Sequence, residues 1–182
     1  MRSNYSKNEF WEERYQKAEA HYDWLQRYYP SCNERPLRDL ILENVSGDDR
    51  VLIVGCGVSN MTRDMFEDGY ENITSIDRSF WAIKVQNELN QYPNDLKYTQ
   101  MDVRDMSFKD GSFDVVIDKA LLDCIICGPE PQKVSEAMLS EINRVLTPTG
   151  SFLCVSHGDE ASRKKYIKNV KKFRWKYKKH MI

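Results

Sequence analysis

No stretch of this sequence approaches the roughly 20 consecutive apolar residues of a membrane-spanning helix, and the opening MRSNYSKNEF lacks the apolar core of a secretory signal. A cytoplasmic protein that does not engage a membrane is the expectation. The five cysteines, Cys32, Cys56, Cys124, Cys127 and Cys154, are odd in number and follow no framework, which points to reduced thiols rather than disulfides. Cys124 and Cys127 have C-x-x-C spacing, but no second cysteine or histidine pair completes a zinc set, so no metal site is expected. Repeats, low-complexity tracts and an inter-domain linker are missing too. A chain of 182 residues, 41% hydrophobic, then suits one domain with a real core.

What is present alternates between strand and helix. Short apolar runs between polar turns predict strands at 51–54, 73–76, 97–101, 113–117 and 151–155, with a last one in FRWKYKKHMI at 173–182. Between them, helices are predicted over 61–67, 80–90 and 131–146, the last with Val134, Met138, Ile142 and Val145 at helical spacing and Gly150 past its end. Another helix is expected near 162–170. Ahead of this core, Ser6-Lys7-Asn8-Glu9 reads as a capping box opening a helix, and Pro36 as the start of a second helix ended by Ser46-Gly47. The expected fold is α/β: a doubly wound, mostly parallel, Rossmann-like sheet of about six strands with helices on both faces. Within it, 1–46 form an N-terminal helical segment, 51–156 the core, and 159–182 a basic helix and strand.

In such a sheet, ligands bind beyond the carboxyl ends of the strands, at the switch in strand order. After the first predicted strand, VLIVGCGVSN supplies Gly55 and Gly57, which can seat a dinucleotide, a phosphate or the amino-acid end of S-adenosylmethionine, or simply turn the chain. The second strand ends in Asp77, 22 residues past Gly55, able to accept two ribose hydroxyls or to cap the next helix. A third glycine for pyrophosphate is missing, because Asn60 stands in its place. In MDVRDM, Asp102 can accept from an adenine amino group while the Val103 N–H donates to a ring nitrogen, or Asp102 can serve the turn alone. That set favours S-adenosylmethionine over NAD.

Here the chain resembles a known family. VLIVGCGVSN, SIDRS, MDVRDM and FDVVIDKALLD are similar to the successive motifs of class I S-adenosylmethionine-dependent methyltransferases. FWEERYQKAEAHYDWL further resembles the group containing the eukaryotic elongation factor 1-alpha lysine methyltransferases and a citrate synthase lysine methyltransferase. The resemblance covers about residues 10–155. It implies a donor site, for S-adenosylmethionine and its product S-adenosylhomocysteine, built from Trp11, Tyr15 and Trp24 of an N-terminal lid, Gly55 and Gly57, Asp77 with Arg78, Asp102 with Val103, and Lys119. On the residues alone, the three lid aromatics equally suit an amphipathic helix packed on the sheet. The family normally adds a seventh strand, which the chain is expected to lack.

Methyl transfer from a sulfonium needs alignment and water exclusion more than strong catalytic groups. Asp118-Lys119-Ala120 replaces the Asn/Asp-Pro-Pro-aromatic stretch used on planar nitrogens, so adenine and glutamine acceptors are disfavoured. Asp118 can orient or deprotonate a lysine ammonium, or bridge backbone groups at the strand end; Asp123 is a weaker candidate for the same role. A protein-lysine methyltransferase with a protein substrate is the expectation. A small-molecule methyltransferase and a non-catalytic cofactor-binding module remain as alternatives.

Charge is uneven. From Asp159 onward there are ten Lys/Arg against two Asp/Glu, which leaves 17 against 26 in the first 158 residues. Such a tail suits an acidic protein, a nucleic acid, or a solvated face with an edge strand guarded by lysines. Alternation puts Phe173, Trp175 and Tyr177 on one strand face, away from Arg174, Lys176 and Lys178, which disfavours base stacking and hence a nucleic-acid partner.

Overall fold

The computed structural model describes residues 4–17, 22–29 and 37–168, together with Phe173 and Lys178. Five strands form one parallel sheet: β1 (Val51–Val54), β2 (Ile73–Asp77), β3 (Lys97–Gln100), β4 (Phe113–Lys119) and β5 (Leu146–Val155), in the order β3-β2-β1-β4-β5. This is one strand fewer than the sequence predicts, because the sixth falls in a stretch of which only Phe173 and Lys178 are described. Phe173 is buried and Lys178 exposed, as the alternation requires of those two residues. The other tail residues named above lie outside the described residues, as do Cys32 and Pro36.

The central strands are apolar on both sides because helices cover both sides. Val51 and Ile53 point to a cluster with Leu37 and Ile41 of α2 (Leu37–Asn44) and Met65 of α3 (Met61–Glu67). Leu52 and Val54 alternate to the other face and meet Met138, Leu139, Ile142 and Val145 of α6 (Pro131–Val145), all fully buried. Val134, expected on that stripe, is only half-buried and faces a cavity instead. α4 (Phe80–Glu88) follows β2, and α1 (Asn8–Gln16) lies against it.

Four local expectations change. Ser6 ends a short 3-10 turn and Lys7 is the N-cap of α1 with no side-chain bond, so no capping box forms; the Ser6 carbonyl instead accepts from Arg78. The chain turns directly from Val145 into β5, so Gly150 is not a helix cap but a strand residue, where a Cβ would stand 2.9 Å from the Asp114 carbonyl oxygen. A helix that the sequence reading left out, α5 (Leu121–Ile126), follows β4 at once. α7 spans Glu160–Ile167, capped by Asp159, whose carboxylate accepts from Ser162 N–H.

Candidate active site

From β1 the crossovers run one way to β2 and β3, while β4 and β5 lie on the other side of β1. The order therefore switches between β1 and β4, where neither neighbouring crossover covers the strand ends. A cavity of about 800 Å³ opens there. Gly55 lines it at a φ of 64°, and Gly57 follows at 51°, both in the left-handed region. A Cβ on Gly57 would stand 2.7 Å from Tyr15 Oη, so its bare backbone lets the tyrosine settle on the turn.

The turn is pinned from beneath. Asp77 Oδ2 accepts from Gly57 N–H and Oδ1 from Ser79 N–H, each at 2.9 Å, joining the end of β2 to the glycine turn and to α4. Burial pushes the Asp77 carboxyl above the usual range, against those two donors. Asp77 thus supports both the turn and Ser79, which is itself the N-cap of α4 in place of Asp77, and it also lines the cavity. Gln86 of α4, which carries no motif, donates to the carbonyls of Gly57 and Ser59 at 3.1 and 2.8 Å.

The N-terminal segment covers this turn. Trp11 and Tyr15 stack at 5.5 Å, and Trp24 meets Trp11 edge-on at 5.5 Å. All three line the cavity, so they form both a packed cluster and a wall. Trp11 Nε1 donates to the Tyr5 carbonyl at 2.6 Å. The Trp24 indole N–H is buried with no acceptor among the described residues, a group that a ligand's anionic or carbonyl oxygen could satisfy. Glu12 anchors the segment: its carboxylate accepts from the Phe80 and Trp81 N–H groups and the Ser79 hydroxyl, at 3.0, 3.2 and 3.0 Å. An anion is favoured there by the dipole of α4.

Lys119, at the end of β4, donates to Asp23 Oδ1 and the Trp24 carbonyl, each at 3.0 Å. Its side chain and that of Asp23 are 6% and 7% exposed, so the pair is a buried latch between lid and sheet. Arg78 lines the cavity and donates to the Ser6 carbonyl at 3.1 Å. Asp102 lines it as well, with its carboxylate held by Arg104, which keeps its pKa below the usual range; Val103 beside it is buried. The structure thus brings nine of the ten expected binding residues onto this one cavity, while Gly57, in the same glycine turn, is off its lining.

Asp118 does not join them. It is fully buried in β4, where its carboxylate accepts from Leu121 and Leu122 N–H at 2.7 and 3.0 Å. Burial pushes its pKa up to about 7. It bridges backbone groups at the start of α5, the alternative that the sequence left open for it, and it is not on the cavity wall. Asp123, in the first turn of α5, does line the cavity. Glu12, Asp23 and Gln86 were missed in the sequence because each acts on a distant segment; only the i, i+1 adjacency of Asp23 to Trp24 hinted at one of them. Among the described residues, no group of His, Cys, Asp or Glu is arranged to hold a metal. No helix among them is long and apolar enough to cross a membrane.

A family model described as a methyltransferase domain matches residues 52–154. The chain is 33% identical over 162 residues to EEF1A lysine methyltransferase 4 of Bos taurus, covering 84% of this chain and 61% of that protein. It is 28% identical over 178 residues to the human eEF1A lysine and N-terminal methyltransferase, covering 96% of this chain and 25% of that one. The chain therefore spans less than two thirds of the length of these relatives. Among solved structures, a SAM-dependent methyltransferase from Methanosarcina mazei superposes with a TM-score of 0.58 at 26% identity, covering 75% of this chain and 64% of that one.

Proposed function

This chain belongs to the methyltransferase-domain family, and from that premise we propose that it transfers a methyl group from S-adenosylmethionine to a lysine side chain of a protein, elongation factor 1-alpha being the substrate class. The observation that carries the reading is the convergence of lid aromatics, glycine turn, Asp77, Asp102 and Lys119 on one cavity at the strand-order switch. The names of the relatives support the acceptor.

The cavity's groups suit this donor. The unpartnered Trp24 N–H offers a hydrogen bond to an α-carboxylate, Asp77 and Asp102 stand at the ends of β2 and β3 for ribose and adenine, and Val103 offers a backbone N–H. When bound, the sulfonium supplies an already activated methyl. The protein's own work is to hold and dry the site. Trp11, Tyr15 and Trp24 exclude water, while the Lys119–Asp23 latch keeps them closed on the sheet. A lysine presented as the neutral amine would take the methyl, with the bonding electron pair kept by sulfur and the surplus proton released to solvent at the open mouth of the cavity, away from the aromatic wall.

The test is transfer of labelled methyl to purified elongation factor 1-alpha and, in parallel, to a whole-cell lysate. The reading expects one labelled protein, with the methyl on lysine by mass spectrometry. Label confined to small molecules would redirect the acceptor, and no transfer despite donor binding would remove the catalytic reading.

A further inference from the structure

The donor-side residues Gly55, Asp77 and Asp102 stand at the carboxyl ends of β1, β2 and β3, one half of the sheet. The acceptor must then enter over β4 and β5. There the cavity wall is largely apolar, with Leu121, Ile125 and Val134, and Lys119 is already committed to Asp23. Three carboxylates line the cavity among the described residues. Asp77 is held by two backbone N–H groups and Asp102 by Arg104, which leaves Asp123 as the carboxylate on the acceptor half.

Asp123 is not empty-handed. Its Oδ1 accepts from Ser156 Oγ at 2.8 Å and from Arg163 Nη2, and Oδ2 accepts from His157 N–H at 3.3 Å. Arg163 comes from α7 and also lines the cavity, and its Nε donates to Ser156 Oγ at 2.6 Å. The guanidinium lies against Gly158, where any Cβ would collide with it. Asp123 and Arg163 are 18% and 16% exposed, so a long cationic side chain reaches in from the basic end of the chain to a half-buried carboxylate beside the donor pocket.

We infer that Asp123 is the docking carboxylate for the acceptor's ammonium, which gives up one proton to solvent at the cavity mouth before its nitrogen attacks, and that Arg163 occupies its seat as an internal substitute cation until an acceptor displaces it. This rests on the protein-lysine reading above. A lysine side chain matches what the seat already holds: an apolar stem along the α5 and α6 wall and a cationic head on Asp123. Displacement removes the tie between α7 and α5, so acceptor binding and the placement of α7 are coupled.

A tie that merely fastens α7 to α5 makes a different prediction from a shared seat. Removing either partner of a tie acts in one direction, whereas removing a competitor and removing the seat act in opposite directions. Initial rates against purified elongation factor 1-alpha are measured for the parent, Arg163→Gln and Asp123→Asn, with S-adenosylhomocysteine affinity as the control for the donor pocket. The expected result is an acceptor KM lowered several-fold in Arg163→Gln and raised about tenfold or more in Asp123→Asn, the size of a lost charge-assisted hydrogen bond. Shifts in the same direction would overturn the inference. If the parent labels no protein, the wider reading fails, and the seat is still tested without turnover. Thermal unfolding of Arg163→Ala is then compared in n-butylammonium chloride and in potassium chloride at equal concentration. The seat predicts a higher Tm in the alkylammonium salt, lost in Arg163→Ala/Asp123→Asn; equal Tm values would overturn it.

Discussion

Ala120 holds a φ of 73° between β4 and α5, a conformation that costs a residue with a Cβ about 1–2 kcal/mol. Glycine avoids that cost but loses more freedom on folding, so Ala120→Gly should raise the unfolding free energy by about 0.5–1 kcal/mol in urea denaturation. Asp77 shows what a residue's place in the sequence conceals. Its spacing from Gly55 announces a ribose acceptor, and a sequence-only argument expects Asp77→Ala to harm binding far more than folding. The structure instead has Asp77 accepting from two backbone N–H groups. Asp77→Ala should therefore lower stability by about 1–3 kcal/mol as well as weaken S-adenosylhomocysteine binding. Calorimetry and urea titration on the same variant separate the two losses.

Elements were legible where composition and punctuation agreed. β1 and α3 fall on residues 51–54 and 61–67 as predicted, because a run of apolar residues, a glycine turn and an apolar-periodic helix leave little freedom. α5 escaped because LLDCII is too short to show a period, and the chain enters it through Ala120 rather than a glycine that would mark a break. The early start of β5 escaped because Thr147-Pro148-Thr149 looks like a turn. β5 lies at one edge of the described sheet, where proline's missing donor is tolerated. The lid was legible as an aromatic helix able to pack on the sheet, but its anchor was not, since Glu12 finds its partners on α4. Glu12→Ala removes an anionic cap of about 1 kcal/mol. Amide exchange over residues 8–16 should quicken in that variant while exchange in β1 and β4 stays slow.

For the whole molecule, stability should depend on pH through carboxyls buried in the sheet. The folded pKa of Asp118 is pushed up to about 7 by burial, above its unfolded value. Between the ordinary carboxyl range and pH 7 the folded state holds the extra proton, so this contribution is full at low pH and is lost as pH rises through about 7. Denaturation midpoints should fall from pH 5 to pH 7.5, and Asp118→Asn should flatten that slope. The architecture and the donor half of the site were readable because they lie at strand ends, which periodicity locates. Of the proposed acceptor half, Asp123 was legible as a weaker candidate, but its partners Ser156 and Arg163 were not, because they come from other elements that only the folded sheet brings together.

Donor recognition is the claim on which the rest depends, and isothermal titration of the purified chain with S-adenosylhomocysteine, NAD and buffer alone tests it most directly. The account predicts saturable one-to-one binding of S-adenosylhomocysteine that weakens when Trp24 is replaced by phenylalanine, which removes the buried indole N–H and keeps an aromatic ring. It predicts no binding of NAD. Saturable NAD binding with none for S-adenosylhomocysteine would contradict it.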